Sequence, residues 1–160
     1  MPRKKTAPRT SAALKSPVEL VRDGADALYR AAEECCYQHD RISKVLTKSS
    51  VEIELEAAQK ACELCDRSLR ALVAGYEQAS ADVHPTGSDE AWWKNANTLW
   101  LASREFLRRH KGCDIASRQL KEHGPERLGE LHAEYELEAS ALLGLRHAAD
   151  AYRKTRPDAA

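Results

Sequence analysis

Residues 16–46 read SPVELVRDGADALYRAAEECCYQHDRISKVL, and apolar side chains recur along them at alternating steps of three and four. This spacing places those side chains on one face of an α-helix. Ser16 is a suitable helix cap, Pro17 is tolerated at the first helical position, and Glu19 can complete a capping box. The stretch therefore predicts a long amphipathic helix. Its apolar face comprises Val18, Val21, Ala25, Leu28, Ala32, Cys35, His39, Ile42 and Leu46.

Three further stretches carry the same pattern, so the chain predicts four helices. A polar run with a second capping signal, SSVE at residues 49–52, separates the first two. No Gly or Pro marks that turn, which leaves one continuous helix open, although a slip in the apolar phase favours two. The loop HPTGS at residues 84–88 precedes the third helix, with Ser88 as its cap. Gly124 and Pro125 end the third helix and start the fourth, which runs to about Lys154.

The apolar faces of all four helices predict how the helices assemble. Their seven-residue repeat is typical of helices that wind into a left-handed supercoil. Four such helices with short connections predict an all-α, antiparallel, up-down-up-down four-helix bundle at residues 16–155. Residues 1–15 are predicted to be a disordered basic tail and residues 156–160 a C-terminal tail. The fourth apolar face comprises Leu128, Leu131, Tyr135, Glu138, Leu142, Leu145, Ala149 and Tyr152.

Charge and hydropathy restrict the classes of partner. The 160 residues include 25 basic and 25 acidic side chains, so no global field favours nucleic acid or a membrane. The basic tail suits contact with phosphate or an acidic partner, although such tails are more often solvated extensions. No apolar run reaches the ~18 residues that span a bilayer, and no secretory signal is recognisable. The sequence therefore predicts a cytoplasmic protein whose thiols stay reduced.

Polar and thiol side chains interrupt the apolar faces at central positions. An antiparallel alignment from the turns places Cys35, Cys62, His110 and Glu138 in one layer of the bundle. His39 and Cys113 fall in the adjacent layer, and Cys65 lies on the other side. Layers are about 5 Å apart, so all seven groups can reach one central volume. The predicted site residues are Cys35, His39, Cys62, Cys65, His110, Cys113 and Glu138.

Thiolate, imidazole and carboxylate together form a ligand set that suits zinc, with iron or copper as alternatives. Burial strengthens this interpretation, because an unpaired Glu138 in an apolar core would be costly without a cation or a protonated histidine beside it. The leading hypothesis is therefore a metal-binding bundle for metal handling or sensing.

Two other classes stay open. Cysteine is a normal core residue, and His110 could simply pair with Glu138, which would leave a non-catalytic interaction or structural bundle. Cys62 and Cys65 have the CxxC spacing of thiol redox proteins but lack the βαβ setting of that motif. No phosphate-binding glycine loop, nucleophile elbow or HExxH is present, which favours a protein without catalysis.

Trp93, Trp100 and Leu107 repeat at intervals of seven beside the apolar face of the third helix. Such a stripe either widens the buried face or forms a homodimer surface. In both cases we expect the two indoles to be largely buried.

Overall fold

The computed structural model describes residues 14–47 and 52–156. Four helices make up most of this part: α1 (Pro17–Thr47), α2 (Glu52–Ser80), α3 (Glu90–His123) and α4 (Leu128–Thr155). Of the described residues 92% are helical and none is in a strand, which confirms the predicted all-α four-helix bundle. None of these helices contains an apolar stretch long enough to cross a bilayer. The cap predicted at residues 49–51 and nearly all of both predicted tails lie outside the described residues.

The first predicted cap is present. The Ser16 backbone N–H donates to Glu19 Oε2 at 2.8 Å, and the Glu19 N–H donates to Ser16 Oγ at 3.2 Å. These reciprocal bonds satisfy two donors that a helix start otherwise leaves unpaired. The capping box therefore sets where α1 begins.

The other two helix starts differ from the prediction. Ser88 does not cap α3, because it lies inside a short 3-10 turn at Gly87–Asp89. Asp89 occupies the cap position of α3, but its carboxylate instead accepts hydrogen bonds from Trp92 Nε1 at 2.9 Å and Arg22 at 3.0 Å. A second 3-10 turn, Pro125–Arg127, separates Gly124 from α4.

The bundle consists of two antiparallel hairpins. α1 packs along α2 and α3 packs along α4, whereas contacts between the two hairpins are fewer. Tyr152 Oη donates to Asp26 at 2.8 Å and Tyr76 Oη donates to Asn97 at 2.7 Å, which ties the ends of the hairpins together. Among the described residues, α1 approaches α3 across the diagonal, but no Cα of α2 comes within 8 Å of a Cα of α4.

One end of the bundle buries more large side chains than the other. Large side chains are fully buried where α1 begins and α4 ends, including Val21, Leu28, Tyr76, Trp92, Leu99, Leu145 and Tyr152. The predicted apolar face is only partly buried in the first half of α4, where Leu131 is buried but Leu128 is 46% exposed and Tyr135 is 49% exposed. Because α2 stands away from α4, these side chains have one neighbouring helix less to pack against.

The tryptophan stripe packs against its own chain. Leu107 is buried, and Trp93 and Trp100 are partly buried against the core. The Arg104 guanidinium lies 4.8 Å from the centre of the Trp100 ring, and His84 meets Trp93 edge to face. The bundle therefore accounts for much of the stripe's burial, and a homodimer through it stays a prediction.

Candidate metal centre

All four helices bring polar side chains to the middle of the bundle. α1 contributes Cys35 and His39, which are four residues apart and so share a helix face. α2 contributes Cys62 and Cys65, α3 contributes His110 and Cys113, and α4 contributes Glu138. The four cysteines are buried, and the imidazoles and Glu138 are largely so.

Asp66 of α2, which is not among the seven predicted site residues, is the centre of this group. The residue is only 5% exposed. Its Oδ1 lies 3.1 Å from His39 Nε2, 3.6 Å from Cys35 Sγ and 3.9 Å from Cys65 Sγ. Its Oδ2 lies 3.2 Å from His110 Nε2, close enough for an ion pair when that ring is protonated, but makes no hydrogen bond of good geometry. Such an oxygen is costly to bury, which makes Asp66 the most informative residue of the site.

His110 connects Asp66 to Glu138. Its Nδ1 lies 2.8 Å from Glu138 Oε2, while its Nε2 faces Asp66. The hydrogen bond with Glu138 outweighs the opposing effect of burial and raises the pKa of His110 to about 9. Burial opposes the charge of Glu138, but its hydrogen bond and charge interaction with His110 prevail and lower the pKa of that carboxyl. Without a metal ion, a protonated His110 therefore lies between the carboxyl groups of Asp66 and Glu138.

Phe106 packs against both histidines. This side chain, the only phenylalanine in the sequence, is fully buried. Its ring meets His39 edge to face at 5.0 Å and stacks on His110 at 6.1 Å. The two imidazoles are 5.5 Å apart and nearly perpendicular. Packing thus limits the ring orientations of both histidines, which favours a preformed site.

The thiols of Cys35, Cys62 and Cys113 are held in their neutral form. The hydrogen bond with Cys65, followed by burial, raises the pKa of Cys35 well above its ordinary value. Burial is the main cause that raises the pKa of Cys62 and of Cys113 to about 12. Reactive cysteines usually have lowered pKa values and some exposure, so this environment disfavours redox chemistry by the free thiols.

A cavity of about 560 Å³ adjoins the polar group. His39, Cys62, Asp66, His110, Cys113 and Glu138 all line it. The exposed side chains of Glu63, Asp114 and Lys121 lie along its edge, so the cavity reaches solvent. A small ion can therefore reach Asp66 without unfolding of the core.

Among the described residues, two sets of three side chains place potential ligand atoms within 4.8 Å of one another. One set is His39, Asp66 and His110, and the other is Cys35, Cys65 and Asp66. Four of the seven predicted residues thus belong to a set, whereas Cys62, Cys113 and Glu138 lie around them.

The predicted layer alignment is partly reproduced. His110 faces Glu138 as the alignment across Gly124 predicted. Cys35, however, lies beside Cys65 and Asp66, so the alignment of α1 with α2 differs from the predicted one by about one helical turn.

Comparison with known proteins adds no family to this geometry. No protein-family model matches the chain. No curated protein and no solved structure shows a significant match to it either. The function of the bundle is therefore inferred from its own side chains.

Proposed function

We propose that this four-helix bundle binds a divalent metal ion between His39, Asp66 and His110, for metal handling or sensing. The supporting observation is the position of Asp66, whose buried carboxylate lies between two imidazole nitrogens and keeps one oxygen without a hydrogen bond. Two imidazoles and one carboxylate suit zinc, and iron or copper is an alternative.

The spacing of the ligand atoms supports an ion at this point. Ligands about 2.0–2.1 Å from a tetrahedral zinc ion are about 3.3 Å from each other. Asp66 Oδ1 lies 3.1 Å from His39 Nε2, and Asp66 Oδ2 lies 3.2 Å from His110 Nε2. Only small movements would be needed to place an ion among the three side chains. The adjoining cavity leaves room for a water molecule as a further ligand.

Glu138 supports the same interpretation from α4. Its bond to the His110 Nδ1–H would leave Nε2 to bind the ion once Nε2 has released its proton, which is the usual arrangement of a carboxylate behind a zinc-bound histidine. The charges also balance, because Asp66 and Glu138 together carry the two negative charges that a divalent ion neutralises.

The competing class is an interaction bundle that has no ligand. The ion pair between His110 and Glu138 favours it, because a protonated His110 can satisfy the buried carboxylates by itself. This class does not account for the solvent-connected cavity that His39, Asp66 and His110 line. We therefore rank it second, with thiol redox chemistry third.

Zinc titration of three proteins tests the proposal. In D66N we expect zinc affinity to fall by more than about 100-fold, because an amide replaces the central anionic ligand. In E138Q we expect a smaller loss of about 10–100-fold, which is typical of a partner that orients a ligand. Calorimetry and elemental analysis of protein purified without a chelator provide the measurements.

E63Q is the matched control, because Glu63 lies three residues before Asp66 at the edge of the same cavity but is exposed. Its zinc affinity should equal that of the parent protein. Parent protein that takes up no zinc, iron or copper would instead leave the interaction bundle as the function. Equal affinity of D66N and the parent would place any bound ion elsewhere.

A further inference from the structure

Two thiols lie against Asp66 on a side that the cavity does not reach. Cys35 of α1 is fully buried and Cys65 of α2 is 7% exposed. Neither lines the cavity, although Asp66 does. Both sulfur atoms lie within 4.8 Å of each other and of an Asp66 oxygen.

We propose that Cys35, Cys65 and Asp66 form a second metal site, in which Asp66 bridges a thiolate-bound ion and the ion held by the histidines. This inference rests on the proposed function, since it assigns Asp66 to both ions. The second ion is a thiophilic divalent ion, with zinc as the first choice.

The distances fit a thiolate site. A sulfur about 2.3 Å and an oxygen about 2.0 Å from a tetrahedral zinc ion are about 3.5 Å apart. The Asp66 Oδ1 atom lies 3.6 Å from Cys35 Sγ and 3.9 Å from Cys65 Sγ. The other oxygen, Oδ2, remains directed at His110. Oδ1 thus faces both thiols and also His39, 3.1 Å away, whereas Oδ2 faces His110, so the carboxylate lies between the two sets of ligands.

Charge balance supports two ions as well as one. The ion at the histidines is neutralised by Asp66 and Glu138. A second ion replaces the protons of Cys35 and Cys65, so two S–H bonds break, two metal–sulfur bonds form and two protons leave. The resulting pair of thiolates supplies the two further negative charges, which keeps the buried cluster neutral.

Cobalt(II) distinguishes the two sites, because thiolate ligands add a charge-transfer band in the near ultraviolet that nitrogen and oxygen ligands do not. Titration under anaerobic conditions with a phosphine reductant should give two equivalents of bound cobalt in the parent protein, with a thiolate band. The double variant C35A/C65A should bind one equivalent and lack that band.

C36A is the matched control. Cys36 is a buried neighbour of Cys35, but it lies beside Arg146 in a different pocket. This variant should keep both equivalents and the thiolate band. Its behaviour therefore separates loss of a ligand from loss of any buried thiol.

The outcomes also separate this inference from the proposed function. One equivalent without a thiolate band in the parent protein overturns the second site and leaves the histidine site standing. One equivalent with the band overturns the two-ion arrangement, since a single ion would then take the thiols. No bound cobalt overturns both proposals. The parent spectrum decides these cases even when the double variant does not fold.

Discussion

The helical periodicity of apolar residues does not identify Asp66 as a site residue. Asp66 directly follows Cys65, which already occupied the seam position in a strict pattern of threes and fours. The buried face of α2 is wider than that pattern and includes both residues. The usable signal is that Asp66 lies four residues after Cys62 and three before Leu69, both of which are buried. A single acidic residue three or four positions from buried residues of the same helix is therefore a candidate ligand.

The ion pair between His110 and Glu138 predicts how the stability of the metal-free protein depends on pH. The raised pKa of His110, about 9 against an ordinary 6.5, stabilises the fold fully below pH 6.5. This contribution should be lost as the pH rises from 6.5 to 9, by up to about 3 kcal/mol. The lowered pKa of Glu138 adds a loss below about pH 4.5. Urea unfolding in the presence of a chelator should therefore show greatest stabilisation by this pair between pH 4.5 and 6.5.

H110Q should flatten the alkaline part of this dependence, because its side chain does not titrate. H147Q is the matched control, since His147 is exposed on α4 and should leave the profile unchanged. Equal slopes for H110Q and the parent protein between pH 6.5 and 9 would show that His110 is not the titrating group.

At the scale of elements, helix existence was predictable and helix register was not. The capping residues Ser16 and Glu19 predict the start of α1, because cap chemistry is local in sequence. The alignment of α1 with α2 instead depends on how the chain connects Thr47 to Glu52, which periodicity does not determine. An error of about one turn there is enough to exchange Cys62 for Cys65 and Asp66 as the neighbours of Cys35.

Alanine substitutions at two glycines should change the free energy of unfolding in opposite directions. Gly124 has φ +83° and ψ −170°, a conformation that is almost exclusive to glycine, so G124A should lower the free energy of unfolding by about 1–3 kcal/mol. Gly144 lies exposed inside α4, where an added Cβ would meet nothing within 4 Å. G144A should therefore raise the free energy of unfolding by about 0.5–1 kcal/mol. Chemical denaturation measures both, and a stabilising G124A would contradict the assigned turn.

At the scale of the whole molecule, the unequal spacing of the helices explains the exposed half of α4. The sequence predicted four equivalent seams, which would suit a square bundle. The diagonal approach of α1 to α3 leaves α2 and α4 apart and opens the cavity beside Asp66. Leu128 and Tyr135 are exposed as a result. Periodicity identifies which face of a helix is apolar, but not how many neighbours that face will have.

Trp100 provides a test of the assembly. Because it packs on its own chain and against Arg104, W100A should lower the free energy of unfolding by roughly 2 kcal/mol or more. If the stripe only widens the buried face, the unfolding midpoint of the parent protein will not change with protein concentration, which would contradict the homodimer. A midpoint that rises with concentration in the parent, but not in W100A, would instead establish a homodimer through the stripe.

The division into two hairpins gives the proposed ion a mechanical role. His39 and Asp66 belong to one hairpin and His110 to the other, so an ion among them would act as a clasp across the weaker boundary of the molecule. By mass action, an ion at 100 times its dissociation constant adds about 2.7 kcal/mol to the closed form. That is a substantial part of the ~5–15 kcal/mol that holds a typical domain folded. The supply of metal in the surroundings would then set how often the two halves separate.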